Sequence, residues 1–389
     1  MLSNLAQQPA DALLALIKLY GADPRTDKID LGVGVYRTGQ GATPVFGAIK
    51  AAERKLLETQ DSKAYLGPEG DMGFVHALMP FIFGKDDADK GGRIEGMQAP
   101  GGTGAVRLAV ALARRAGVRR IIMGLPSWPN HAQILADLDV ELKSFNHAAS
   151  GGVTDMDALR AAIAEAGPGD AILLHGCCHN PTGIDYTDAQ WDEIASLIAA
   201  KGVLPIIDLA YQGLGRGMEE DAYGLRKVLD MVPEALVAYS CDKNFGMYRD
   251  RVGAIYVMAE NAEVLGRVLS NGHALARASW SMPPDHGAAA VQRFDDDLEQ
   301  LVLGGGVDVD VDLELAARDL PPEVLRHQPL AVVVPDLRAG QAGRRECQHQ
   351  RRESPAAGAD RAGGNRHGRG GERGTVRHRG MAAQRRGGL

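Results

Sequence analysis

Between about residue 45 and residue 290 the sequence alternates short apolar runs with segments of helical periodicity, and this constrains the fold more than any single motif. Strands are expected at Arg120 to Gly124, Val140 to Ser144, Ala171 to Gly176, Leu204 to Asp208, Leu236 to Ser240 and Gly253 to Met258. Helices are expected between them, including Gly104 to Arg115, Asp155 to Ala166, Asp188 to Ala200 and Ala262 to Ala276. Such alternation gives an α/β fold with a largely parallel sheet covered on both faces. Ligands of these sheets bind at the carboxyl ends of the strands. Polar residues at those ends are therefore the candidates for chemistry. No internal repeat is visible.

At 389 residues the chain can bury a sizeable core, as two domains. Its net charge of -7 argues against nucleic acid as a partner. Met1 to Ile17 lacks the basic start and continuous apolar core of a signal peptide, and no apolar run is long enough to span a bilayer. Four cysteines, two of them adjacent, do not make a disulfide framework. The expectation is a cytoplasmic protein without a membrane partner.

Composition changes sharply after about residue 291. Past Phe294 there is no aromatic residue and no isoleucine, and no lysine follows Lys243. Arg338 to Leu389 is dominated by Arg, Gly, Ala and Gln, a mixture that cannot bury enough apolar surface to offset its ordering entropy. A basic tail of this kind can bind nucleic acid. A reading-frame shift in a GC-rich gene accounts for it better, and translating the other frames tests that.

The densest chemistry lies in Ser240-Cys241-Asp242-Lys243-Asn244-Phe245-Gly246, with Tyr248 and Arg251-Val252-Gly253 following. A lysine after a strand can form an imine with an aldehyde once desolvation or a nearby cation lowers its pKa. Ser240 and Arg251 flank Lys243 at distances suited to a phosphate. Pyridoxal phosphate carries both groups. The Ser-x-x-Lys spacing also fits a serine hydrolase, but the Ser-Asp-Asn and Lys-Thr-Gly elements of that class are missing. Gly101-Gly102-Thr103-Gly104 opens a helix, and a glycine turn there presents backbone N–H groups to an anion. It is not the GxGxxG of nicotinamide sites.

Asp208 ends an apolar strand, where a buried acid needs a cation or hydrogen-bond donor. A protonated pyridine nitrogen is one such partner, and Tyr211 lies three residues on. His175-Gly176-Cys177-Cys178-His179-Asn180-Pro181-Thr182-Gly183 invites a metal reading. Adjacent cysteines in a strand point to opposite faces, however, and there is no Cys-x-x-Cys, so no metal is expected. Asn180 to Gly183 reads as a tight turn around a cis proline. Trp128 offers a flat face, His131 a donor for a buried acid, and Arg277 a bidentate partner for a carboxylate. Each has a blander alternative: a core Trp, a satisfied core His and a solvated helix-end charge.

Together these segments resemble the class I aspartate and aromatic-amino-acid aminotransferases, which depend on pyridoxal phosphate. The likeness runs from Asp30-Leu31-Gly32-Val33-Gly34-Val35-Tyr36 through Tyr65-Leu66-Gly67 and the motifs above to His286-Gly287. The resemblance implies a fold type I transferase with a mainly parallel seven-stranded large domain and a smaller domain. Residues 1–44 would be an arm and part of the small domain, and 45–290 the cofactor domain. Residues 291–389 would stand aberrantly in place of the rest.

It implies that Lys243 is the Schiff-base lysine and proton carrier, and that Asp208 pairs with the ring nitrogen with His131 behind it. Asn180 and Tyr211 would bond the ring oxygen, and Trp128 would stack on the ring. Gly102, Thr103, Gly104, Ser240 and Arg251 would hold the phosphate, with Tyr65 from the partner subunit of a homodimer. Gly34, Trp128, Asn180 and Arg277, the last from the partner, would bind substrate. The implied reaction is ping-pong transamination of aromatic or dicarboxylic amino acids with 2-oxoglutarate, through pyridoxamine phosphate. Met282 tilts the choice toward aromatic substrates. Two departures stand out. Asp242 replaces a small residue and is expected to point away from the site. The arginine that binds the α-carboxylate from the C-terminal small domain cannot be located, so a cofactor-binding but impaired homologue is the alternative.

Overall fold

The computed structural model describes residues 2–7, 12–29, 34–167 and 169–293. All of these fall in one compact unit. Asp30 to Val33 and the region from Phe294 onward, with its basic tail, lie outside the described residues.

The strands are β1 (Ile94–Pro100), β2 (Arg120–Leu125), β3 (Glu141–Asn146), β4 (Ala148–Ala149), β5 (Val153–Thr154), β6 (Asp170–His175), β7 (Leu204–Leu209), β8 (Ala235–Ser240) and β9 (Val252–Met258). The α-helices are α1 (Ala12–Ala22), α2 (Gly47–Thr59), α3 (Met72–Phe83), α4 (Gly101–Arg115), α5 (Pro129–Asp137), α6 (Met156–Ala164), α7 (Asp188–Lys201), α8 (Tyr223–Met231) and α9 (Ala262–Ser279). Residues 285–293 add a further helical segment. Seven strands form the main sheet in the order β1-β9-β8-β7-β6-β2-β3, and β4 and β5 pair in a small ribbon. Every neighbouring pair in the main sheet is parallel except those made by β9, which runs antiparallel to β1 and β8.

The fold class and all the expected strands are therefore seen, within a residue or two of the expected ends. β6, β8 and β9 are buried along their whole length, so their apolar runs are continuous rather than alternating. Helix ends follow local chemistry. Asp71, Asp155 and Asn261 accept from the first turns of α3, α6 and α9, and Thr187 and Gln190 make a reciprocal capping box on α7. Gly202 then ends α7 in the left-handed region, at φ 65°.

β1 escaped the sequence reading because Gly96, Gln98 and Pro100 break its apolar run. Each has a packing reason. A Cβ on Gly96 would lie 2.5 Å from the Tyr256 ring. Gln98 is fully buried, its amide donating to the Pro284 carbonyl at 2.7 Å and accepting from the Asp71 N–H at 2.9 Å. Two apolar cores clasp the sheet, one containing Phe74, Trp191 and Tyr239, the other Met97, Leu108 and Ile206. The carboxyl ends of β6, β7 and β8 are left converging on one edge.

Candidate active site

Register assembles the first half of the site. His175 lies opposite Asp208 across the β6–β7 pair. Asp208 has a side-chain exposure of 7%, and its Oδ2 lies 2.9 Å from His131 Nε2. His131 reaches it from the first turn of α5, with its Nδ1 3.0 Å from Ser127 Oγ. Ser127 Oγ in turn lies 2.9 Å from His175 Nε2. An ionised carboxylate only accepts, which orders the chain: His175 N–H to Ser127, Ser127 O–H to His131, His131 N–H to Asp208. Burial opposes a charge on Asp208, but the His131 hydrogen bond and neighbouring positive charge outweigh it and hold the carboxyl below its usual range. Burial drives His175 down to about 3, so it is neutral near pH 7. The result is an ionised acid at a strand end, backed by a fully bonded relay.

The lysine sits next to it. β8 ends at Ser240, and Lys243 follows in a turn with its Nζ 5.2 Å from the centre of the Tyr211 ring. Asn180 Nδ2 donates to the Tyr211 hydroxyl at 3.3 Å. Burial, then the charge of Asp208, raises the Tyr211 pKa. The Asn180–Pro181 bond is cis, as the turn reading expects. Trp128 precedes α5 and meets the His131 ring edge-on, with centroids 5.0 Å apart. Lys243, Asp208, Tyr211, Asn180, His131 and Trp128 thus gather at neighbouring strand ends.

The second half is a glycine-lined cradle. β1 and β8 flank β9, with Pro100 opposite Val252 and Ser240 opposite Gly253. α4 starts at Gly101, earlier than the sequence indicates, with Gly101 at φ 67°, a conformation that glycine adopts without strain. A Cβ on Gly102 would lie 3.0 Å from Ser240 Cβ, and one on Gly253 would lie 2.6 Å from the Tyr239 carbonyl oxygen. Gly102, Thr103 and Gly104 occupy the first turn of α4 and Ser240 is fully buried beside it, a place suited to an anion.

Arg251 lines this cradle, but with an unexpected partner. Asp242 does not turn away: one carboxylate oxygen accepts from the Val252 N–H at 3.0 Å, and the other accepts a short hydrogen bond from Arg251 Nη1. The turn after β8 and the antiparallel return into β9 put residues 242 and 251 side by side.

Three expected residues are elsewhere on this chain. Tyr65 is 91% exposed. Gly34 is exposed, and nothing lies within 4 Å of where its Cβ would be. Arg277 is exposed at the end of α9, with Nη1 donating to Ser281 Oγ at 2.5 Å. Among the described residues no hydrogen bond ties them to Lys243, Asp208 or Arg251. The arm does reach the region, since the Tyr36 N–H donates to the Tyr248 hydroxyl at 2.9 Å.

The argument that set aside a metal at Cys177 and Cys178 also needs correction. Both lie beyond the end of β6, and Cys178 has a φ of 48°, so the rule of opposite faces does not apply. Their sulfurs and an Asp221 oxygen lie within 4.8 Å of one another. That carboxylate already accepts from the N–H groups of Gly213, Gly215 and Arg216, which makes it a loop brace. The roles of Ser127 and His175 were missed altogether. His175 was detectable by aligning the ends of the two expected strands, which pairs it with Asp208.

A pocket edge carrying an amine, a buried ionised acid and a glycine-and-arginine anion cradle defines a class of site for a cofactor bearing an aldehyde, a basic ring and a phosphate. The comparisons agree with that class. A sequence model of aminotransferase class I and II matches residues 26–301. A tyrosine aminotransferase of Rhizobium meliloti (strain 1021) is 54% identical over 301 residues, 77% of each chain. An aspartate aminotransferase of Salmonella typhi is 45% identical over 296 residues, 75% of this chain and 74% of that one. The solved aromatic-amino-acid aminotransferase of Burkholderia pseudomallei, covalently bound to pyridoxal phosphate, is 30% identical with a TM-score of 0.72, covering 78% of this chain and 81% of that one. This chain belongs to the class I and II aminotransferase family.

Proposed function

We propose that the protein is a pyridoxal-phosphate-dependent aminotransferase that moves the amino group of aromatic and dicarboxylic L-amino acids to 2-oxoglutarate in two half-reactions. The observation that carries this is the juxtaposition of Lys243 with an ionised Asp208 backed by His131. The residues fit the cofactor: a buried acid at a strand end suits a protonated ring nitrogen, and a cradle from which glycine excludes side chains suits a phosphate. When bound, that cofactor supplies an electron sink for bond breaking at the substrate α-carbon.

The chain's own residues then divide the work. Asp208 keeps a ring nitrogen protonated by offering a charge that His131 holds in place. Lys243 Nζ is the covalent attachment point, and once released it takes the α-proton and returns it. Tyr211 and Asn180 bond the ring oxygen, and Trp128 covers one ring face. Gly102, Thr103, Gly104, Ser240 and Arg251 hold the phosphate. Gly34 and Asn180 lie along the substrate. Tyr65 and Arg277, exposed on this chain, complete the neighbouring protomer's site in a homodimer. Residues 1–44 serve as the arm, 45–290 bind the cofactor, and 291–389 stand in place of the rest of the small domain. The setting is the cytoplasm, consistent with the finding that no helix among the described residues is long and apolar enough to cross a membrane.

One observation favours a second reading, a cofactor-binding homologue with little activity. The family match ends at residue 301, close to the composition break, and no arginine for the substrate α-carboxylate is found before it. One set of measurements separates the two. Both readings expect a visible absorbance band on adding the cofactor, absent in Lys243→Ala, and a matching mass gain on borohydride reduction of the wild type. Turnover of phenylalanine or aspartate, lowered about 10³-fold or more in Lys243→Ala, supports the enzyme. A wild type that binds but does not turn over supports the second reading, and a colourless one rejects both.

A further inference from the structure

Asp242 places a negative charge where the functional reading needs a positive one. Its side chain is 3% exposed, whereas that of Arg251 is 42% exposed. Both carboxylate oxygens are engaged, one by the Val252 N–H and the other by Arg251 Nη1. A Cβ built on Gly101 would lie 2.6 Å from Arg251 Nη2 and 2.7 Å from Asp242 Oδ2. The glycine turn, the guanidinium and the carboxylate therefore share one point of contact. Ser240 closes the same corner, its Oγ accepting from the Asp242 N–H at 3.2 Å. The cations acting on Asp242 are Arg251 and Lys243, and both have other tasks in the proposed site.

An incoming phosphate dianion must thus share Arg251 with an acid already bonded to it, at a spot from which neither side chain can retreat far. Like charges at contact distance in a partly dry site weaken binding unless a further cation joins them. Burial itself pushes the Asp242 pKa up, so the surroundings tolerate this charge poorly even before an anion arrives.

Resting on the functional reading above, we propose that Asp242 competes with the cofactor phosphate for Arg251 and sets a deliberately loose, exchangeable grip on the cofactor. The residue is an affinity determinant of the phosphate end and takes no part in proton transfer. The rival role is structural: the carboxylate merely aims Arg251 at the phosphate, and its loss would weaken the grip.

The test titrates apo-protein with pyridoxal phosphate and, separately, with pyridoxal, which has the same ring and aldehyde but no phosphate. Binding is followed by absorbance and by quenching of tryptophan fluorescence in wild type, Asp242→Ser and Asp242→Asn. The expected result is pyridoxal phosphate bound about tenfold more tightly by both variants, with the affinity for pyridoxal unchanged. The asparagine variant keeps the side-chain shape, so a packing defect in the serine variant cannot mimic or mask the effect. Unchanged or weaker binding of the phosphate ester in both variants overturns the proposal in favour of the aiming role. Equal gains for the two ligands also overturn it, since the effect would not lie at the phosphate. If neither ligand binds any of the three proteins, the functional reading fails and the inference goes with it.

Discussion

The ring end and the phosphate end of the candidate site each bury one carboxylate, and their surroundings treat it in opposite ways. Asp208 meets a histidine whose far nitrogen is held through Ser127 by neutral His175, and its carboxyl is held below the usual range despite burial. Asp242 meets a half-exposed arginine and one backbone N–H, and burial raises its pKa against their pull. Both acids stand at or just beyond strand ends of the same sheet, two strands apart in neither case from a lysine or arginine. Burial alone does not say whether a carboxylate serves a ligand. What decides is whether its bonding partner is committed elsewhere: His131 is dedicated to Asp208, whereas Arg251 is wanted by an anion.

The sharpest way to break the comparison is at the ring end. Asp208→Asn keeps the shape but removes the charge and leaves His131 facing a neutral amide. We expect turnover to fall by about 10²- to 10³-fold, in line with the loss of a positioned proton-holding group, while pyridoxal phosphate still binds. Steady-state rates and the absorbance titration together check this. A near-normal rate would mean that the buried acid is only a packing element. At the phosphate end the counterpart is Gly253→Ala. The added methyl would meet backbone atoms, the Tyr239 carbonyl oxygen at 2.6 Å and the Gly101 carbonyl carbon at 2.7 Å, and neither can swing aside. A loss of about 1–3 kcal/mol in unfolding free energy is expected, together with weaker binding of the phosphate ester relative to pyridoxal. Denaturant melts and the paired ligand titration measure the two effects.

The same contrast explains what could be read from the chain alone. Lys243 and Asp208 were legible because each follows a continuous apolar strand, and strand ends are where such sheets keep their ligands. The glycine turn was legible because four small residues precede a helix. β1 was not legible, because Gly96 yields space to Tyr256 and Gln98 spends its amide on two backbone groups, demands that come from partners far along the chain. The Ser127–His175 link depends on which strand lies beside which, information absent from either segment. Asp242 was misread for a related reason. Its direction follows from the antiparallel pairing of β8 with β9, which folds Val252 and Arg251 back onto it. Local pattern fixed what each element is; pairing fixed what each side chain meets.

The smallest expected effect gives the finest test, because the two ends should respond to acid with opposite signs. His175 titrates near 6.5 when unfolded and at about 3 when folded, its burial favouring the neutral form. Between those values the unfolded chain binds the extra proton, so stability rises with pH across the window and is lost as the solution is acidified. The slope from this one group is at most about 1.4 kcal/mol per pH unit. For Asp242 the folded pKa lies above the ordinary carboxyl value, so just above about pH 4 the folded chain binds the extra proton and stability falls as pH rises. His175→Asn should therefore flatten the acid limb of a plot of unfolding free energy against pH, and Asp242→Asn should steepen it just above the carboxyl range. His179, also held near 3 mainly by burial, is present in both proteins and cancels in the comparison. Denaturant midpoints between pH 4 and pH 7 suffice. Two parallel limbs would show that the two carboxylate environments are electrostatically alike, and the competition assigned to Asp242 would lose its physical basis.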